Sequence, residues 1–271
     1  MKYHTFYIPK RNGKRRKIEA PDDELKKIQY KMMKTSPIFR LPPSPFAHGF
    51  VKHRNIATAM MPHINKKFVM KLDIKDFFNS IKLTNTFPLA EKYITSLGLI
   101  LNEDKYRLKL TCCFTGKDQH LPQGAPTSPQ LANLYMWSAD YKIAKTLAAI
   151  DIDYTRYVDE IILSSNNQDI FVAKKIIKNI LDVYRLELND DKTRVFKNRK
   201  CILSIVVNKK LNIPRTLKKN LRAAQHQIKR GRKMDNKLRG ELAFANMILN
   251  NDKYVMPSTQ YYTNKETAKL I

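Results

Sequence analysis

Glycine is scarce in this sequence, at 7 of 271 residues, and there is a single tryptophan. Cysteine is nearly as rare: Cys112, Cys113 and Cys201 are the only 3. Adjacent cysteines rarely bridge, and no spaced Cys/His set has the pattern of a zinc site. A disulfide scaffold and a structural zinc are therefore excluded as organising devices. The thiols read as reduced and structural, which fits the cytoplasm. No apolar run reaches the ~18 residues of a membrane span. The opening Met1-Lys2-Tyr3-His4-Thr5 lacks the apolar core of a secretory signal. No membrane partner is expected. Acid is the most telling shortage: 24 Asp+Glu face 51 Lys+Arg, a formal net charge of +27. The excess runs from end to end, so no single tail accounts for it. A solvated surface needs no such imbalance, whereas a polyanionic partner does, because cations that neutralise phosphates release condensed counterions.

Against that basic background one acid pair stands out. Tyr154-Thr155-Arg156-Tyr157-Val158-Asp159-Glu160-Ile161-Ile162-Leu163-Ser164 is an apolar run, two acids, then a second apolar run. The runs suit two strands, with the acids where a tight turn falls. On its own such a pair usually marks a solvated turn. Held partly out of water, two carboxylates require a cation nearby. Two other stretches favour the second reading. Phe68-Val69-Met70-Lys71-Leu72-Asp73-Ile74-Lys75-Asp76-Phe77-Phe78 runs an apolar strand into an acid. Leu121-Pro122-Gln123-Gly124-Ala125-Pro126-Thr127-Ser128-Pro129 builds a shaped loop, and Thr127 or Ser128 is expected to cap the helix that begins near Pro129.

In this order and spacing the three stretches resemble motifs A, B and C of a reverse transcriptase, most closely of the bacterial retron type. Motif C there is Tyr-X-Asp-Asp; here it is Tyr157-Val158-Asp159-Glu160. The opening hairpin, Ile8-Pro9-Lys10 to Arg16-Lys17-Ile18 around an Asn12-Gly13 turn, is similar to that family's fingers. Asn189 to Val195 resembles motif D. The elements associated with retron RNA recognition are replaced by Ala59-Met60-Met61-Pro62-His63 and Ile202-Leu203-Ser204. The resemblance implies an α+β right-hand polymerase: fingers in 1–67 with part of 84–125, a palm with a ferredoxin-like antiparallel sheet in 68–213, and a helical thumb and tail in 214–271.

It also implies roles. Asp73, Asp159 and the Ile74 carbonyl would hold two Mg²⁺ ions, with Mn²⁺ as a substitute and Glu160 as a supporting ligand; carboxylates suit hard cations. Lys192 would protonate leaving pyrophosphate. Lys10 and Arg16 would grip the triphosphate, Asp76 would orient it, and Phe78 would exclude a ribose 2′-hydroxyl, with Phe77 packing behind. Gln123 and Gly124 would line the nucleotide pocket, Tyr157 the primer end, and Arg222, Lys229 and Arg232 the duplex backbone. Implied partners are deoxynucleoside triphosphates, an RNA template or dedicated non-coding RNA, the DNA product, and a protein partner or second copy, in antiviral defence. The alternative is a degenerate polymerase fold acting as an RNA-binding or assembly subunit, with Glu160 as its sign. His48 and His63 read as structural or template-contacting.

Periodicity places helices over 21–40, from Asp76 to Lys92, over 99–115, from Pro129 to Ala149, and from Asp169 to Tyr184. The long helix has one apolar face, Leu131, Leu134, Tyr135, Ala139 and Ile143. A strand is expected from Ile202 to Val207, and basic helices over 216–230 and 236–250, broken at Gly231.

Overall fold

The computed structural model describes residues 2–10, 13–96, 98, 110–231 and 233–250. Strands β1 (Tyr3–Pro9) and β2 (Arg15–Pro21) form an antiparallel hairpin with Pro9 opposite Arg15. The Lys10 N–H donates to the Lys14 carbonyl at 2.7 Å, and Gly13 takes the left-handed φ of 78° that closes the turn. Asn12 lies outside the described residues.

Helix α1 (Asp23–Thr35) starts where Asp22 accepts the Leu25 N–H. It stops before Pro37, and a separate 3₁₀ turn covers Pro37–Arg40. The single helix expected over 21–40 is therefore two pieces, because Pro37 forces its predecessor into extended backbone. After a proline-rich loop, α2 (Ile56–Met60) is held by a capping box between Asn55 and Thr58. Strand β3 (Phe68–Asp73) follows, then α3 (Phe77–Ser80) and α4 (Leu83–Ser96). The helix expected from Asp76 to Lys92 is divided because buried Ile81 turns extended and gives its carbonyl to the Leu121 N–H at 3.0 Å. Of the helix expected over 99–115, residues 99–109 lie outside the described residues. Beyond them, Thr115 and His120 exchange two backbone bonds of 2.9 Å.

Helix α5 (Ser128–Ala148) is the central rod. The expected face is buried, and so are Asn133, Met136, Trp137 and Asp140, because the helix is covered on several sides. Neither proposed cap forms: Thr127 makes no side-chain cap bond, and Ser128 donates instead to the Pro122 carbonyl at 2.8 Å. Strands β4 (Asp153–Tyr157) and β5 (Glu160–Ser165), helix α6 (Ile170–Val183) and strand β6 (Arg194–Phe196) complete the palm. The sheet order is β4-β5-β3-β6, all antiparallel. With α5 and α6 as the two crossovers this is the βαββαβ, ferredoxin-like arrangement.

The expected strand from Ile202 to Val207 is a hairpin, β7 (Cys201–Ile202) and β8 (Ile205–Val207), because Leu203 and Ser204 take left-handed φ values of 50° and 64°. Strand β9 (Leu211–Asn212) joins it, and α7 (Arg215–Lys229) and α8 (Asn236–Leu249) follow, separated near Gly231. Among the described residues no helix is long and apolar enough to cross a membrane.

Side chains alternate faces along a strand. Met70, Leu72, Ile161 and Leu163 join the core around α5 and α6. Val69 and Ile162 join a second core with Met60, Val207, Leu221 and Leu238. By that alternation Lys71 and Asp73 share the Val69 side of β3, and Glu160 pairs with Asp73 across the strands. Three charges at the end of an apolar sheet need partners.

Candidate active site

Asp73 ends β3, and Asp159 sits in the turn between β4 and β5. The two motifs are stitched by backbone: the Ile74 N–H donates to the Asp159 carbonyl at 2.9 Å. The turn is set by Val158 at a left-handed φ of 62°. That strain is over-determined from behind. The fully buried Arg156 guanidinium donates to the Val158 carbonyl at 2.8 Å and to both oxygens of buried Asp140, at 2.8 and 2.9 Å. Asp140 also accepts the Tyr154 hydroxyl at 2.7 Å.

The cation anticipated beside the acid pair is present twice. Lys192 donates to Asp73 Oδ1 at 2.8 Å and Oδ2 at 3.1 Å. Lys71 donates to Glu160 Oε1 at 2.6 Å. The expectation that Glu160 is a metal ligand thus meets a divided carboxylate: one oxygen is held by Lys71, while Oε2 is buried with no hydrogen-bond partner. Burial first, and then the charge of Asp73, push the Asp159 carboxyl up to about 6. Burial pulls the Lys192 ammonium down, but its bond to Asp73 and that residue's charge outweigh this, and the net shift is upward.

Asp159, Glu160 and Lys192 line a cleft of about 680 Å³ together with Lys10, Arg16, Ile74, Asp76, Phe78, Gln123, Gly124 and Tyr157. Residues from five separated stretches converge there. Phe77 is buried against Phe78, with ring centroids 5.5 Å apart. The motif B loop is fastened to the hairpin: the Glu19 N–H donates to the Gln123 carbonyl at 2.9 Å, and a Cβ on Gly124 would stand 3.0 Å from the Glu19 carbonyl oxygen. The Glu19 side chain accepts from Lys17 at 2.6 Å and meets His120 Nε2 at 2.8 Å.

Other expectations fall elsewhere. Arg222 and Lys229 lie exposed on α7, away from the cleft lining, and Arg232 lies outside the described residues. His48 and His63 are buried and structural: His48 Nδ1 meets Thr58 Oγ1 at 2.8 Å, and His63 bridges Ser164 and Thr155 at 2.7 and 2.8 Å. Burial drives both imidazoles down to about 3. Template contact is ruled out for them by this burial. The cleft also includes Lys26, Tyr30 and Phe50, to which sequence reasoning assigned no role. Lys26 and Tyr30 stand four apart on α1, a spacing that shares one helix face.

The donors suit hard divalent cations. Asp73 and Asp159 offer carboxylate oxygens, and Glu160 Oε2 is a buried carboxylate oxygen that a cation would satisfy. Among the described residues no group of three or more His, Cys, Asp and Glu forms a ready-made metal cluster. Magnesium is commonly bound in just this sparse way, by one or two carboxylates plus substrate phosphates.

The strand order and the placement of Asp73 and Asp159 define the palm of a right-hand nucleic-acid polymerase. In fold the chain is similar to telomerase from Candida albicans, solved with a fragment of telomeric RNA, at a TM-score of 0.54 and 14% identity over 78% of this chain and 45% of that one. Residues 8–235 match the family described as reverse transcriptase (RNA-dependent DNA polymerase). The chain belongs to that family, in its retron-type branch. It is 33% identical over 262 residues to the retron Ec73 reverse transcriptase of Escherichia coli, covering 88% of this chain and 80% of that protein. It is 31% identical over 270 residues to the retron Mx65 reverse transcriptase of Myxococcus xanthus, covering 91% of this chain but spanning 61% of that protein.

Proposed function

We propose that this chain is an RNA-templated DNA polymerase that adds deoxynucleotides to a primer 3′-hydroxyl. The observation that carries the reading is the backbone hydrogen bond from Ile74, the residue after Asp73, to the Asp159 carbonyl, at a cleft that Asp159 lines with Arg16, Phe78 and Gln123. Divalent ions, Mg²⁺ or Mn²⁺, held by Asp73, Asp159 and the Ile74 carbonyl with Glu160 in support, would lower the hydroxyl's pKa and neutralise charge on the leaving pyrophosphate. The protein's own contribution is placement. Arg16 and Lys10 grip the triphosphate, Arg by a bidentate fork, and Asp76 orients it. The Phe78 ring takes the space of a 2′-hydroxyl. Gln123 and Gly124 hold the base pair from the loop fixed to β2, and Tyr157 supports the primer end. Lys192 holds a proton at Nζ beside Asp73 for the leaving group.

Fingers over 1–67 with part of 84–125, palm over 68–213 and thumb over 214–271 follow the same reading, with Arg222, Lys229 and Arg232 on the duplex backbone. The retron likeness extends it to a dedicated non-coding RNA as template, a DNA product, a protein partner or second copy, and antiviral defence in the cytoplasm. The purified chain, given a primed RNA template, deoxynucleotides and Mg²⁺, is expected to extend the primer. Nucleic-acid binding without extension, in Mg²⁺ and in Mn²⁺, would replace this reading by that of a degenerate RNA-binding or assembly subunit.

A further inference from the structure

Phe50 is the most exposed aromatic ring in the cleft, at 59%, with φ of 58° in the left-handed region that a bulky residue avoids. A bare, strained phenylalanine is costly, yet its loop is rigidly built. Arg54 donates to three backbone carbonyls of the loop, those of Ser44, Pro45 and Ala47, at 2.6, 3.1 and 2.7 Å. Asn133 Nδ2 donates to the Gly49 carbonyl at 3.0 Å. Gly49 lies so close to the catalytic turn that a Cβ there would stand 2.5 Å from Val158 Cγ2. The backbone that carries the ring is thus held close to the turn that carries Asp159.

Phe50 also belongs to the lining of both the polymerase cleft and a second cavity of about 300 Å³. That cavity is walled by Phe39, Pro42 and Trp137, with Lys52 and Gln130 adding polar groups to its lining. Aromatic and proline walls with a few polar groups, at this volume, suit a small flat ligand. The cavity adjoins the nucleic-acid cleft, and Lys52 suits a phosphate alongside it.

We propose that this second cavity receives a single unpaired base of the template, the first one ahead of the copying site, and that Phe50 is the stacking wall separating it from the base being copied. A base inside the duplex is stacked on both faces and unavailable; the strand ahead of the copying site is single, so its base can turn aside at no cost in pairing. Aromatic faces accept any base, so the site is indifferent to sequence. This inference rests on the polymerase reading above.

The test uses the full chain bound to a primed RNA template whose primer ends in a chain terminator. 5-Iodouridine is placed at the first unpaired template position, and the photo-crosslinked peptide is identified. The proposal expects crosslinking to Phe50 or to the walls of its cavity, lost when the iodouridine is moved into the duplex. In parallel, wild type should bind this template more tightly than one ending flush at the copying site, and Phe50→Ala should reduce that gain by about ten-fold, as expected for one lost base–aromatic stack. Phe50→Trp should retain it. Crosslinks from the first unpaired base that map elsewhere in wild type, which needs no variant to fold, overturn the proposal. So does an overhang gain unchanged in a folded Phe50→Ala. If wild type extends an unterminated primer while either result holds, only this proposal falls. If wild type neither binds nor extends the primed template, the polymerase reading falls with it.

Discussion

Lys71 Nζ lies 2.6 Å from Glu160 Oε1, and the two side chains are only 19% and 18% exposed. Lys71 stands two residues before Asp73 on β3, so it reaches the same face as the residue paired across to β5.

The pair should be energetically coupled. Lys71→Met and Glu160→Gln, alone and together, should show an interaction energy of roughly 1–3 kcal/mol in a double-mutant cycle of unfolding. Glu160→Gln should slow extension less than Asp159→Asn, since only a supporting charge is lost. Additive unfolding energies would mean that the ion pair holds nothing.

Behind the Val158–Asp159 turn, Asp140→Asn should destabilise the chain by about 3–5 kcal/mol, because it leaves a buried guanidinium uncompensated. Adding Arg156→Met should restore part of the loss. Denaturant titration of the single and double variants checks this; a single-variant loss under about 1 kcal/mol would contradict the packing argument.

Gly124 has a φ of 140°, strained for any side chain, and a methyl there would be crowded by the Glu19 carbonyl and Ile18. Gly124→Ala should move the motif B loop off the fingers hairpin and raise KM for the incoming nucleotide by about ten-fold, in line with strain of roughly 1–3 kcal/mol. Steady-state extension at varied nucleotide concentration reads it directly; an unchanged KM would show that the loop position is immaterial.

Acid stability should report the buried histidines. Their folded values, about 3, lie below the ordinary imidazole value of 6.5, so the unfolded chain binds more protons between those limits. Stability is then full above about 6.5 and falls as pH drops toward 3. For His63, burial is the main cause, helped by His48 and Lys66. His63→Gln should make the acid limb shallower by about 1 kcal/mol per pH unit. An acid limb as steep in the variant as in wild type would remove His63 from the account.

The palm was legible because its chemistry leaves marks in single stretches. Asp73 after an apolar strand, and Asp159 between two strands, read together with the loop around Gln123 as acids needing cations. What stayed hidden depends on convergence of distant residues. Lys71 looks like any strand lysine until β5 lies beside it, and Arg156 like a polar interruption until Asp140 meets it from α5. Phe50 reads as an ordinary apolar residue, since its exposure comes from backbone held by Arg54 and Asn133. The broken helices have a similar cause. The helix expected over 21–40 ran across Pro37, and Ile81 ends α3 because Leu121 claims its carbonyl.

The central claim is that Asp73 and Asp159 together carry phosphoryl transfer, and single-turnover primer extension on an RNA template tests it most directly. Asp73→Asn and Asp159→Asn preserve shape and remove charge. Each should bind the primed template nearly as wild type does and extend it roughly a thousand-fold more slowly or worse, a barrier increase of about 4 kcal/mol. Extension by either variant at a rate comparable with wild type, in Mg²⁺, would contradict the account.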